Sequence, residues 1–302
     1  MKEKTYLTIN ELIEYMKNKG IIINNEEETK EILKQHNYYV IMGYKNLFMK
    51  DNKYKDNVTF ENIYSLYKFD KQLKILFLSV LLNVENIIKN AIVQQFCTTY
   101  GFKENDYLNK DNYNTTHTYL NKIMGIFKQQ IEEKKKNNIA VEYYINTYGY
   151  VPFWVISKVL SFGLIKDLFN IMKKTDERII KDNVCNYKDT KIKHLYTQLQ
   201  LMVHKRNNTA HDEIFFNDID RKILLHKTEE HKKFNLSGNS GLNDTLGLLI
   251  CIKNILPKQE FNKLIDDLTN LIDNYINNNS VITKEELLQE MHLPVNYDIL
   301  KW

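Results

Sequence analysis

In the stretch LMVHKRNNTAHDEIFF, Arg206, Asn207 and His211 fall in an Arg-Asn-x-x-x-His spacing. These residue types suit RNA scission without a metal. A ribose 2′-hydroxyl must lose a proton and attack the adjacent phosphorus, and the 5′-oxygen must leave with a proton. Imidazole titrates near neutral pH, so His211 is the candidate general acid/base. A guanidinium is always charged and forks onto two phosphate oxygens, so Arg206 is the candidate clamp for the developing charge. Asn207 could orient either group through hydrogen bonds. Arginine is scarce, occurring only at Arg178, Arg206 and Arg221 among 42 basic residues. An accidental match to this spacing is expected roughly 0.08 times in such a chain. A second match, Arg221 to His226, occurs nonetheless; its interior is Lys-Ile-Leu-Leu, and we read it as coincidental.

The elements around this segment are helical. Only 9 glycines and 3 prolines occur in 302 residues, which favours long helices joined by short connections. Thr8 is placed to cap a first helix, and Asn25 with Glu28 a second. Apolar positions at steps of three and four from Phe60 to about Phe96 predict one long helix or two nearly collinear ones. Asn- and Lys-rich linkers are expected near 103–113 and 132–138. Pro152 and Pro257 read as first-turn prolines opening FWVISKVLSFGLIKDLF and QEFNKLIDDLTNLIDNYI. A further helix is expected from Thr190 to about Arg206, and Thr283 with Glu286 forms a capping box for a last short helix. No alternating strand pattern stands out. Across five helical residues Arg206 and His211 rotate about 140° apart, so either Asn207–Thr209 leaves the helix or two protomers share the site. The expected organisation is one all-α domain over 1–302, with an irregular polar insertion at 218–242 and a C-terminal helix and tail at 283–302.

Charge and cysteines narrow the class. The net charge of +4 comes from 42 basic and 38 acidic residues intermixed, which permits a nucleic-acid partner without requiring one. Cys97, Cys185 and Cys251 are solitary, and no Cys/His set has zinc spacing, so no metal and no cofactor are expected. MKEKTYLTINE lacks an apolar core, and the apolar run 75–82 stops at Asn83, far short of a membrane span. A cytoplasmic chain without a membrane partner is the expectation.

Four segments carry a family resemblance. LTINELIEYMKNKGIIINNEEETKEILKQHNYYVIMGYKNLF is similar to the N-terminal pattern of the Abi-like abortive-infection proteins, the AbiD/AbiF group of the HEPN superfamily, through Asn37, Tyr38, Tyr39, Gly43 and Tyr44. Leu66, Tyr67, Phe69, Asp70 and Leu73 resemble that family's LY-x-FD-x-x-L segment. Pro152, Trp154, Val155, Leu160, Ser161, Phe162 and Gly163 resemble its P-x-WV…LSFG segment, and RNNTAH falls where the family carries R-N-x-x-x-H. The resemblance spans roughly residues 5 to 217. It implies an all-α HEPN-type helical bundle with an N-terminal helical extension, a homodimer that brings two motifs together, and metal-independent RNA cleavage. Many relatives follow the motif His with a second His, where this chain has Asp212. An Arg frequent in the long second helix of the family corresponds to Lys89 here. Nearby Glu85 is a candidate orienting partner, although a solvated helix-surface glutamate is the ordinary reading.

Other groups are weaker candidates. Tyr38, Tyr39, Tyr44 and Tyr54 could stack RNA bases or fill a helical core. Lys134–Lys136 and the cluster Lys227, His231, Lys232, Lys233 could touch phosphates, but each has acidic neighbours. His204 lies seven residues before His211 and reads as a supporting or surface residue. The functional expectation is an endoribonuclease toxin acting on RNA and restrained in trans, by a noncoding RNA antitoxin rather than a protein. The alternative is a non-catalytic HEPN module that binds RNA or senses a phage component.

Overall fold

The computed structural model of the chain describes residues 5–211, 213–279 and 281–302. The first helices are α1 (Ile9–Asn18), α2 (Glu26–Gln35), α3 (Tyr38–Met42), α4 (Phe60–Tyr100) and α5 (Glu104–Tyr107). The middle of the chain forms α6 (Leu120–Asn137), α7 (Ile139–Tyr148), α8 (Phe153–Val159), α9 (Phe162–Ile171) and α10 (Lys174–Val184). It closes with α11 (Ile192–Thr209), α12 (Glu229–Lys232), α13 (Thr245–Lys253), α14 (Lys258–Asn277) and α15 (Lys284–Glu290). The fold is all-α.

The organising element is α4, one helix of 41 residues. Thr59 and Asn62 make a reciprocal capping box at its start. It stops at Gly101, whose φ of +101° favours glycine and where a Cβ would collide with an Asp106 carboxylate oxygen. Its buried side chains run from Phe60 to Phe96, and it packs against α8, α10, α11 and α14. Averaged over an 18-residue window its hydropathy reaches 1.5, enough in length and composition for a membrane span. Counting only the unbroken apolar run hides this. One stripe of α4, from Phe60 to Phe96, packs into the bundle core, whereas Ile75 and Leu82 within the apolar stretch stay exposed.

The capping residues anticipated at Thr8, Asn25 and Thr283 all accept from the backbone three residues on. Elsewhere the chain departs from expectation. Residues 132–137 are the end of α6 rather than a linker. Pro152 and Pro257 sit at N-cap positions with extended ψ, not in the first turn. FWVISKVLSFGLIKDLF is two helices, broken at Leu160–Ser161. The break is sustained because Lys89 Nζ donates to the Leu160 carbonyl at 2.8 Å and the Ser161 N–H donates to Gln130 Oε1 at 3.1 Å. A two-residue hairpin, β1 (Met49–Lys50) against β2 (Lys53–Tyr54), interrupts the helices. Its tip, Asp51-Asn52, takes positive φ at both residues, as a hairpin of matching twist needs.

The N-terminal helices join α4 through backbone bonds between Ile22 and residues 58 and 60. Between α11 and α13 the chain is mostly irregular with α12 in its midst, and it buries Leu225, His231 and Phe234. At the C-terminal end Glu286 pairs with Lys55 at 2.7 Å.

Candidate active site

Arg206 lies in the last turn of α11. Asn207, Asn208 and Thr209 remain helical, so the first of the two alternatives, a departure from helix at 207–209, does not occur. The chain leaves the helix only at Ala210, where the His211 N–H still donates to the Asn208 carbonyl at 3.2 Å. Arg206 Nε faces Glu85 Oε2 at 3.4 Å, without the alignment of a hydrogen bond. The other Glu85 oxygen is 2.7 Å from Lys89 Nζ. Glu85 is 5% exposed, so the solvated-surface reading is overturned. The residue sits on the buried stripe Leu81–Glu85–Ile88–Ile92, where a charge must find partners. Lys89 is likewise buried, and its ammonium also reaches the carbonyls of Lys158 and Leu160. Arg206 thus faces the buried carboxylate through Nε, while Nη1 reaches, among the described residues, the exposed Asn207 side chain at 3.4 Å.

His211 is exposed, and the loop that carries it is braced from below. Lys74 Nζ donates to the His211 carbonyl at 3.1 Å. Asp70, fully buried, accepts from the Phe216 N–H at 2.7 Å, the Phe215 N–H at 3.1 Å and the Tyr44 hydroxyl at 2.6 Å. Burial pushes the Asp70 carboxyl above its ordinary range, and these donors with Lys74 oppose the rise. At Gly43 a Cβ would meet Ile214 Cδ1 at 3.1 Å, so the backbone of residue 43 lies close under the same loop. Lys74 and Glu85 are separated by eleven residues of α4, about 16 Å along its axis. Within one chain, the His211 backbone is thus tied to α4 through Lys74 and the Arg206 guanidinium through Glu85.

A second polar network fixes the end of α11. Lys205, 1% exposed, donates to the Asp218 carboxylate at 2.7 Å and to its carbonyl at 2.5 Å. Burial lowers the Lys205 pKa, and Asp218 works against that fall. Asn208 Nδ2 donates to Asp218 at 2.9 Å and lies 3.0 Å from His204 Nε2. His204 Nδ1 is 3.3 Å from Asp220. His204 thus faces the segment after the motif. Its pairing with carboxylates makes it a support of the helix end.

The remaining candidates separate cleanly. His226 stacks on His194 at 4.0 Å, at the other end of α11 from Arg206. Lys135 pairs with Glu104 and Glu132, Lys232 with Glu229, and Lys233 with Glu230. Tyr44 is a core residue, whereas Tyr39 is 80% exposed. Among the described residues no group of three or more His, Cys, Asp and Glu side chains is arranged to hold a metal ion. Asp212 lies outside the described residues.

A family profile described as Abi-like protein matches residues 31–217. The chain belongs to the Abi-like family. No curated protein and no solved structure matches it. Membership makes it a protein of the abortive-infection defence class. The Abi-like segments, scattered in sequence, converge in the fold. Gly43, Tyr44 and Asp70 brace the loop of His211, while the carbonyl of Leu160 is tied through Lys89 to Glu85 and so to Arg206. The sequence offered Tyr44 as a base-stacking or core residue, of which the core reading fits, and gave Asp70 no role. A signal was present, because Asp70 falls on the stripe Leu66–Asp70–Leu73–Phe77, where an unpaired carboxylate would be costly.

Proposed function

We propose that this Abi-like chain is a HEPN-type endoribonuclease toxin that cuts RNA without a metal. His211 serves as general acid/base, Arg206 as phosphate clamp and Asn207 as its aid, giving a 2′,3′-cyclic phosphate and a 5′-hydroxyl. The observation that carries this reading is the mounting of Arg206. Its guanidinium is paired through Nε with a buried carboxylate, itself held by Lys89, while Nη1 lies 3.4 Å from the exposed Asn207 side chain. That is how a clamp is preorganised for an anionic substrate. Because α11 stays helical through Thr209, the reading takes the guanidinium and imidazole at each scissile phosphate from two chains of a homodimer. A toxin of this kind needs restraint in trans, which we assign to a small structured RNA.

The test is cleavage of single-stranded RNA in EDTA by wild type, Arg206→Ala and His211→Ala. Each substitution should lower the rate by about 10²-fold or more, the usual cost of losing a transition-state charge donor, while RNA binding persists. A wild type that cuts nothing, with both variants equally toxic to cells, would favour the non-catalytic RNA-binding or phage-sensing module instead.

A further inference from the structure

The N-terminal part of the fold holds a cleft of about 510 Å³ between α1, α3, the segment Gly43–Phe48 and the β1–β2 hairpin. Its walls carry three tyrosines, Tyr15, Tyr38 and Tyr54, and three lysines, Lys19, Lys45 and Lys53, with no carboxylate among the lining residues. Elsewhere on this chain lysines are commonly matched by acids; among the described residues none of these three enters an ion pair. Lys19 instead lies over the Tyr15 ring, 5.5 Å from its centre. The Tyr38 hydroxyl is pushed up to about 12, first by burial and then by Tyr15 and Tyr54. Tyr15 remains 44% exposed, so part of its ring is open to a guest.

Rings interleaved with unmatched cations favour a flexible polyanion with flat, stackable units. Every base offers a π-face, and every phosphate a charge that a lysine can neutralise with release of counterions. A peptide would need carboxylates or apolar anchors repeated at this spacing, and a duplex would not expose its base faces. The cleft also adjoins the candidate active site. Lys45 and Met42 line it, while the intervening Gly43 and Tyr44 contact Ile214 and Asp70 in the brace of the His211 loop.

We propose that this cleft is a subsite for single-stranded RNA. One or two bases stack on Tyr15, Tyr38 and Tyr54, the flanking phosphates meet Lys19, Lys45 and Lys53, and the strand continues past Gly43 toward His211. As a substrate subsite it rests on the ribonuclease reading, but as a binding site it can be tested apart from cleavage.

The experiment measures anisotropy of a fluorescein-labelled twelve-nucleotide oligouridylate on full-length His211→Ala protein over a range of salt. In that background, Lys45→Gln with Lys53→Gln should weaken binding and flatten the dependence of log Kd on log salt by about 1.4, two phosphate contacts at 0.7 each. Tyr15→Leu with Tyr54→Leu should weaken binding about ten-fold per lost stack at unchanged salt slope. Lys134→Gln with Lys136→Gln, away from the cleft, should leave both quantities alone. Circular dichroism confirms that each variant is folded, and Tyr15→Leu alone, at an exposed ring, repeats the test if the tyrosine pair is not. Unchanged binding in the cleft variants, or equal weakening by the control pair, overturns the proposal, even if wild-type cleavage is intact. Cleft-dependent binding by a wild type that cuts nothing would uphold the site and sink only the nuclease reading.

Discussion

Asp70→Asn is the sharpest probe of how the fold positions His211. One carboxylate oxygen accepts from Phe216 N–H; the other accepts from Phe215 N–H and the Tyr44 hydroxyl. An asparagine is nearly the same shape but must present an NH₂ on one side. Whichever way it turns, that NH₂ opposes one of the two backbone N–H donors, because neither can become an acceptor. The variant therefore loses one charge-assisted hydrogen bond and leaves a buried donor unsatisfied, about 3 kcal/mol in all. Lys74 also loses the carboxylate 3.8 Å away while still holding the His211 carbonyl. Thermal unfolding should show the loss as a drop of roughly 6 °C in Tm. If the loop shifts by about 1 Å, RNA cleavage well below Tm should fall about 10²-fold, with RNA binding nearly unchanged. Tyr44→Phe keeps both backbone acceptances and should cost only about 1 kcal/mol and little activity. Equal effects of the two substitutions, or an Asp70→Asn protein with wild-type stability and rate, would refute the positioning of His211 by Asp70.

Two further outcomes are expected. Glu85→Gln removes one partner of a buried ion pair and should cost about 3–5 kcal/mol in urea unfolding, with cleavage strongly reduced. Adding Lys89→Met should restore much of that stability but not the cleavage, so recovery of both would show that Glu85 does not position Arg206. His231 is buried, its Nε2 2.8 Å from the Gly241 carbonyl and its Nδ1 accepting the Thr228 N–H, so burial holds its pKa below the ordinary 6.5. A group whose folded pKa is depressed contributes stability above its unfolded pKa and loses it as pH falls through the folded value. Urea midpoints should therefore drop as pH is lowered below about 6.5, with His194 adding in the same direction, and His231→Gln should flatten the decline. An identical pH slope in the variant would remove His231 from that account.

The fold was largely readable because its signals are local and redundant. The capping boxes at Thr8 and Thr283 and the three-four periodicity of α4 each say helix without tertiary help. What escaped depended on contacts distant in sequence. The α8–α9 break is held by Lys89 and Gln130 from other helices, and the one local signal for it in VISKVLSFG is Ser161, which caps α9 by accepting the Leu164 N–H. The β1–β2 hairpin rests on Asp51-Asn52, a turn pair easily mistaken for loop polarity. At the candidate site Arg206 and His211 stood out by type and spacing. Glu85 was weighed as a surface residue because charge was allowed to override its place on the apolar stripe. The sharper rule is that an acidic residue in phase with a buried face marks a partner waiting elsewhere in the chain.

The long helix α4 acts as a ruler. Asp70 and Lys74 near one level set the height of the imidazole-bearing loop, and Glu85 with Lys89 sets the height of the guanidinium. In the proposed dimer, catalytic spacing would then be governed by the angle at which two such rulers cross. With Lys74 and Glu85 about 16 Å apart along α4, a tilt of about 5° displaces one of these supports by roughly 1.4 Å relative to the other, a misfit large enough to silence the proposed chemistry. An inhibitor that merely rocks the partners need never touch the catalytic side chains.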